Sequence, residues 1–207
     1  MTTFILVRHG YTDWIEKEIL HGISDRPLSE FGLEQADATA KFLHNTKIDR
    51  MYSSPLIRAM QTAEKIGETT GAKPEPVADL REENYGWLEG KRDWWPTVKD
   101  RKSLIPFYIF TRVSISTLTG EPFWQFRQRV VNAWRKIKEE NSSGTIAIVA
   151  HSGVLRTILT HEFGGTRFDT EKYSLTACSV SRIEVNGNSP HIISLNENSH
   201  LPGDNHL

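Results

Sequence analysis

The sequence predicts an α/β fold, a three-layer α/β/α sandwich with a mostly parallel central sheet. Two observations carry this. Short segments of strand length at residues 4–7, 50–53 and 146–150, the first and third of them apolar runs, are each followed by a turn, and the first two lead on to a helical period of apolar residues, the third to an apolar helical start. Each of these strands also delivers arginine or histidine side chains just past its end. Alternating strands and helices give a parallel sheet whose ligand crevice lies beyond the carboxyl ends of the strands.

In chain order, Phe4-Ile5-Leu6-Val7 reads as a fully buried strand running into a glycine loop at Arg8-His9-Gly10. From Ser29, Leu33, Ala36, Ala40 and Leu43 lie at helical spacing with Ser29 as N-cap. A strand at residues 50–53 leads to Ser54 as N-cap, Pro55 at the first helical position, and a helix that carries Arg58 and ends at Gly71. The strand at 146–150 turns at His151-Ser152-Gly153 into a helix beginning at Val154. Strands at 179–185 and 191–195, joined by a turn at Asn186-Gly187-Asn188, close the sheet, and residues 201–207 read as a loose tail. The whole of 1–207 is expected to be one domain, with a lid or insertion at about 92–125 that carries Pro96, Pro106 and Pro122 and the aromatics Phe107, Tyr108 and Phe110.

Composition narrows the function. Lysine and arginine number 25 against 26 aspartate and glutamate in 207 residues, so a broad basic face for nucleic acid or anionic lipid is not expected and any positive site must be local. The single cysteine, Cys178, rules out an intrachain disulfide framework and suits a reducing cytoplasm. No stretch approaches the roughly 18 apolar residues of a membrane helix. His21, His44, His161, His191, His200 and His206 show no metal-ligand spacing, so neither a metal nor another cofactor is expected.

Arg8, His9, Arg58 and His151 converge at the strand ends in this reading, a site for a compact, multiply charged anion. Phosphate fits best because guanidinium forks match its oxygens. The residues that carry this site also carry a family resemblance. Leu6-Val7-Arg8-His9-Gly10-Tyr11-Thr12 resembles the signature of the histidine phosphatase superfamily, phosphoglycerate-mutase-like branch. The likeness continues through Asp25-Arg26-Pro27-Leu28-Ser29, Gly32 and Gln35-Ala36, then Tyr52-Ser53-Ser54-Pro55, Arg58-Ala59 and Gln61-Thr62-Ala63. It resumes at Leu80-Arg81-Glu82, Tyr85-Gly86 and Leu88-Glu89-Gly90, at Val149 to Arg156, and at Asn196 with Ser199-His200-Leu201. Only about 92–125 lack a match.

The resemblance implies a phosphoglycerate-mutase-like fold and a metal-independent phosphomonoesterase acting on a small phosphorylated metabolite, similar to the α-ribazole phosphatase and broad-specificity group. His9 would be the nucleophile that forms a phosphohistidine. Arg8, Arg58 and His151 would hold the phosphoryl oxygens, and Glu82, rather than its neighbours Glu83 and Glu89, would be the proton donor. Thr12 and Ser152 are further candidate phosphate donors.

Two alternatives remain, a phosphoglycerate mutase and a non-catalytic module that binds a phosphate ligand. Mutase relatives carry an arginine directly after the proton donor, where this chain has Glu83, and residues 104–124 hold only Arg112 as positive charge. Ile15 stands where most relatives have a phosphate-contacting asparagine. The aromatic segment at 104–124 suggests an apolar or ring-bearing leaving group. Trp87, Trp94, Trp95 and Trp124 are read as packing residues rather than as site residues.

Overall fold

The computed structural model describes residues 1–93, 102–166, 172–187 and 189–203. Strand β1 (Thr2–Arg8) lies centrally in a six-stranded sheet with β2 (Arg50–Ser53), β3 (Pro74–Pro76), β4 (Gly144–Ala150), β5 (Val180–Asn186) and β6 (Ser189–Glu197), in the order β3-β2-β4-β1-β5-β6. The pairs β3–β2, β2–β4 and β4–β1 are parallel, and β1–β5 and β5–β6 antiparallel. The sheet is thus mixed and mostly parallel, as the alternating pattern requires.

Helices cover both faces: α1 (Asp13–Glu16), α2 (Glu30–Leu43), α3 (Ile57–Thr70), α4 (Ile105–Thr119), α5 (Phe123–Glu140) and α6 (Ser152–Phe163). Side chains alternate across a strand, so β1 sends Phe4 and Leu6 to the face covered by α5 and α6, and Ile5 and Val7 to the face covered by α2 and α3. This is why residues 4–7 are an unbroken apolar run. The largest core side chain, Trp134 on α5, packs edge-on against Phe4 with ring centroids 4.6 Å apart, and its indole N–H donates to Glu162 Oε1 at 2.6 Å.

Several local expectations hold at the residue level. Ser29 caps α2, its hydroxyl accepting the Gly32 N–H at 3.1 Å, and α3 ends at Gly71. The start of α3 differs. The helix begins at Ile57 rather than Pro55: the Ser54 hydroxyl, 2.8 Å from His151 Nε2, accepts the Leu56 N–H at 3.3 Å, and the Ile57 N–H is taken by the Asp25 carboxylate at 2.7 Å. Pro106 and Pro122 are helix starters rather than breaks: Pro106 lies in the first turn of α4 and Pro122 immediately precedes α5. Helix α5 adds to the expected elements, with Phe126, Val130, Ala133, Trp134 and Ile137 as its buried stripe. Trp87 and Trp124 are each 64% exposed and so are not packing residues, while Trp94 and Trp95 lie outside the described residues. The tail is tied down at Leu201, which packs with Leu28 and Cys178. No helix among the described residues is long and apolar enough to cross a membrane.

Trp134→Ala should lower unfolding stability by about 3–5 kcal/mol through the cavity it leaves. The midpoint of urea unfolding measures this.

Candidate active site

The register sets three strand ends level. Arg8 pairs with Ala150 across β1–β4, and Ser53 with Val149 across β2–β4, so His9, Ser54 and His151 all emerge at one edge of the sheet. His9 is 5% exposed and His151 fully buried, with ring centroids 5.0 Å apart.

The His9 tautomer follows from its partners. Nδ1 lies 2.7 Å from the Gly10 carbonyl, which only accepts, so Nδ1 carries the hydrogen. Nε2 is then a bare lone pair, and it accepts from Arg58 Nε at 3.3 Å. Burial first, then the charges of Arg58 and Arg8, push the His9 pKa well below the usual imidazole value, so the ring is neutral and nucleophilic at Nε2.

Arg58, the second residue of α3, is fully buried. Its two terminal nitrogens donate to the carbonyls of Ser24 and Gly22, each at 2.8 Å. Arg8 donates from Nη1 to the Leu175 carbonyl at 2.6 Å, while its buried Nε has no hydrogen-bond partner. Both guanidiniums thus direct these bonds to neutral acceptors, and burial lowers the pKa of each, that of Arg58 to about 10. His151 pairs Nε2 with the Ser54 hydroxyl at 2.8 Å, and its buried Nδ1 is also without a partner. Unsatisfied buried polar atoms call for an explanation, and here they flank the guanidiniums of half-buried Arg8 and buried Arg58. A bound oxyanion would satisfy them.

Glu82 reaches the site from the loop before Glu83. Its Oε2 accepts the Gly153 N–H at 3.1 Å in the first turn of α6, and its Oε1 accepts the Glu83 N–H at 3.0 Å. A Cβ at position 153 would lie 2.3 Å from Glu82 Oε1, so only glycine lets the carboxyl approach this helix end. The charge of Glu82 acts on both Arg8 and Arg58, which places it with the cations. Ser152 is the first residue of α6. Thr12 is buried at the start of α1, but its hydroxyl is engaged, accepting the Ile15 N–H at 3.2 Å and lying 2.5 Å from His21 Nε2. Arg112 is not free cationic charge: it lies 3.6 Å from Asp93 and stacks over the Tyr85 ring.

Two residues matter that sequence reasoning placed elsewhere. His21, read as an isolated histidine, belongs to the site: burial and Arg58 lower its pKa to about 4, and it is the acceptor for the Thr12 hydroxyl. Its sequence gives no signal of this, because the contact depends on the loop before Gly22. Glu89, considered only as a rival acid, is a clamp. Its carboxylate accepts the N–H groups of Ile23 and Tyr85 at 3.0 Å and of Ser24 at 2.9 Å, and the Ser24 hydroxyl at 2.6 Å. It therefore holds the loop whose carbonyls seat Arg58. Gly22 sits at φ +53°, and a Cβ there would lie 2.0 Å from Glu89 Oε1. The closing sequence block acts similarly on Arg8: Asn196 Oδ1 accepts the Thr176 N–H at 2.6 Å, beside the Leu175 carbonyl that binds Arg8.

Two outcomes follow from this geometry. Glu89→Ala should weaken inorganic phosphate binding by about tenfold, the scale of one charge-assisted hydrogen bond lost through a loosened Arg58; titration calorimetry would show it, and unchanged affinity would mean that Arg58 holds its place without the clamp. His9, His21 and His151 all have folded pKa values below that of a free imidazole. Below about pH 6.5 the unfolded chain therefore binds more protons, and stability present at neutral pH declines down through the folded values. Thermal melts should show this decline, and phosphate should reduce it. Equal pH slopes with and without phosphate would place these histidines away from an anion site.

Comparison with known proteins shows the family. Residues 4–198 match the model of the histidine phosphatase superfamily (branch 1). The chain is 30% identical over 203 residues to the uncharacterized phosphatase PhoE of Bacillus subtilis (strain 168), covering 98% of each chain. It is 32% identical over 163 residues to a metal-independent phosphoserine phosphatase of Arabidopsis thaliana, covering 76% of this chain and 67% of that one. The crystal structure of phosphoglycerate mutase from Bacillus anthracis str. Sterne superposes with a TM-score of 0.81 at 25% identity, over 97% of this chain and 95% of that one. With a fold and a family match that run through nearly all of its length, the chain belongs to the histidine phosphatase superfamily, branch 1.

Proposed function

We propose that this protein is a metal-independent phosphomonoesterase that acts on a small phosphorylated metabolite through a phosphohistidine at His9. The observation that carries the reading is a neutral His9 whose Nδ1–H is fixed on the Gly10 carbonyl and whose Nε2 lone pair faces the Arg58 guanidinium.

The reaction follows from these positions. A phosphate monoester enters against Arg8, Arg58 and His151, and its oxygens take up the donors left open at Arg8 Nε and His151 Nδ1. Arg58 Nε–H passes from His9 to a phosphoryl oxygen, which frees the Nε2 lone pair to attack phosphorus in line. The bond from phosphorus to the ester oxygen breaks, and Glu82 gives its proton to that oxygen as the alcohol leaves. Water then attacks the phosphohistidine with Glu82 taking its proton, releasing phosphate and restoring neutral His9. The cations supply the charge stabilisation of a loose phosphoryl transition state. Among the described residues no group of three or more His, Cys, Asp or Glu side chains could hold a metal ion.

The likeness to a phosphoglycerate mutase makes transfer to a second substrate the other reading. Glu83 opposes it: buried directly after Glu82, it is an acid at the position where mutase relatives carry a carboxylate-binding arginine. The aromatic segment gives no preference for a ring-bearing leaving group, since Tyr108 turns inward to Asp93 while Phe107 and Phe110 are 59% and 69% exposed. Ile15 supplies no side-chain donor, which leaves phosphate to the arginines and histidines.

The deciding experiment measures phosphate release in chelator from an aryl phosphate, phosphoserine, α-ribazole phosphate, sugar phosphates and 3-phosphoglycerate. Wild type should release phosphate and His9→Ala should neither turn over nor form a covalent phosphoenzyme. Glu82→Gln should slow turnover by about 100-fold or more with phosphate binding nearly intact. Activity retained in His9→Ala, or release from no ester by the wild type, would overturn the proposal.

A further inference from the structure

Glu82 follows a stretch with little regular structure, a single 3-10 turn at Ala78–Leu80 and then Arg81. Its carboxyl is held at one end by Gly153, so the placement of the reacting atoms depends on what fixes the backbone behind it. That anchor is Arg129, on α5. Its Nη1 donates to the carbonyls of Asp79 at 2.8 Å and Arg81 at 2.6 Å, and its Nη2 to the carbonyl of Glu82 itself at 2.8 Å. The other edge of the fork grips Glu121, Nε to Oε1 at 2.7 Å and Nη2 to Oε2 at 2.8 Å. A guanidinium has five N–H donors, and all five are used.

Both partners are largely withdrawn from water, with side chains 17% and 16% exposed. Glu121 also closes on the far side of the same loop: its N–H donates to the Asn84 carbonyl at 2.8 Å, and Oε2 accepts the Asn84 N–H at 3.5 Å. The guanidinium further lies over the Phe126 ring, 5.0 Å from its centroid. This fork thus fixes the backbone on both sides of Glu82, and it does so from the body of α5 and from the turn between α4 and α5.

We propose that Arg129, held by Glu121, is a positioning residue for the proton donor, setting the distance from the Glu82 carboxyl to the oxygen of the leaving alcohol. The inference rests on the reading of Glu82 as the general acid. Proton transfer is sensitive to displacements of about 1 Å, whereas phosphate binding by Arg8, Arg58 and His151 uses none of this loop. Loosening the fork should therefore harm the step that needs a proton and spare the step that does not. A lysine at 129 keeps the positive charge and the aliphatic stem but has three donors and no planar fork, so it cannot reproduce the five bonds.

The test compares kcat for esters with increasingly basic leaving groups, from a nitrophenyl phosphate, whose phenolate departs unprotonated, to an alkyl phosphate, whose alkoxide needs the proton. Wild type, Glu82→Gln, Arg129→Lys and Glu121→Gln are measured side by side, with thermal melts to show that each is folded. Arg129→Lys should lower alkyl ester turnover by about tenfold to 100-fold while changing aryl ester turnover by less than about threefold, the same pattern as Glu82→Gln in milder form. Glu121→Gln, which frees one edge of the fork, should shift the ratio the same way and serves if Arg129→Lys does not fold. A uniform loss across all esters in the fork variants, with Glu82→Gln still selective, would overturn the inference while leaving Glu82 as the acid. No selectivity in Glu82→Gln would instead remove the reading of Glu82 and the inference with it.

Discussion

The guanidiniums of Arg8 and Arg58 and the imidazoles of His9 and His151 crowd together at one edge of the sheet, and among the described residues the hydrogen bonds of the two arginines go to carbonyl oxygens and to the His9 ring rather than to carboxylates. Cations withdrawn from water are expensive to desolvate, so each must be ringed by well-fixed acceptors. The structure meets that demand with backbone. Arg58 takes the carbonyls of Gly22 and Ser24, and Arg8 takes that of Leu175. A loop carbonyl is a good acceptor only if the loop is itself rigid, and this requirement organises much of the molecule outside the sheet.

The pinning is visible around the whole crevice. Glu89 holds the Gly22–Ser24 loop through three hydrogen bonds and ties it to Tyr85 through a fourth, and Asn196 holds the loop under Arg8. The turn after His9 is held by Thr62 and Gln35, which accept the N–H groups of Gly10 and Tyr11 at 3.2 and 3.0 Å. Gln61 does the same for Leu28 at 2.8 Å. Gln35, Gln61, Thr62, Glu89 and Asn196 are thus supports for loops, one step removed from Arg8, His9, Arg58 and His151. Burial first, and then the charges of the same two cations, hold the His9 pKa well below the usual imidazole value, so the seating of the arginines and the neutrality of His9 are coupled.

The loop carrying Glu82 follows the same logic with the sign reversed. A cation, Arg129, seats the backbone of an acidic residue by taking three carbonyls, and Glu121 neutralises it from behind. Charge is therefore distributed so that, among the described residues, Arg8 and Arg58 make no hydrogen bond to a carboxylate while Arg129 makes two to Glu121. The first kind can attract an anion, and the second can only hold structure in place.

The sequence by itself determined the layers, the main strands in chain order, the start of α2, the C-terminal end of α3, and the identity of the residues at the strand ends. These depend on local periodicity, on caps, and on the fact that strand residues must alternate between two faces. Tertiary structure decided whatever depends on atoms far apart in the chain. The first N–H of α3 is capped by Asp25 from a distant loop, and the stretch around 104–124 holds a helix despite its prolines. His21 joins the site, Thr12 turns its hydroxyl to His21, and Glu89 is a clamp rather than an acid. The hydrogen-bond partner of a carboxylate or an imidazole is set by which loops the fold brings within about 3 Å of it, a distance that spacing along a chain does not encode.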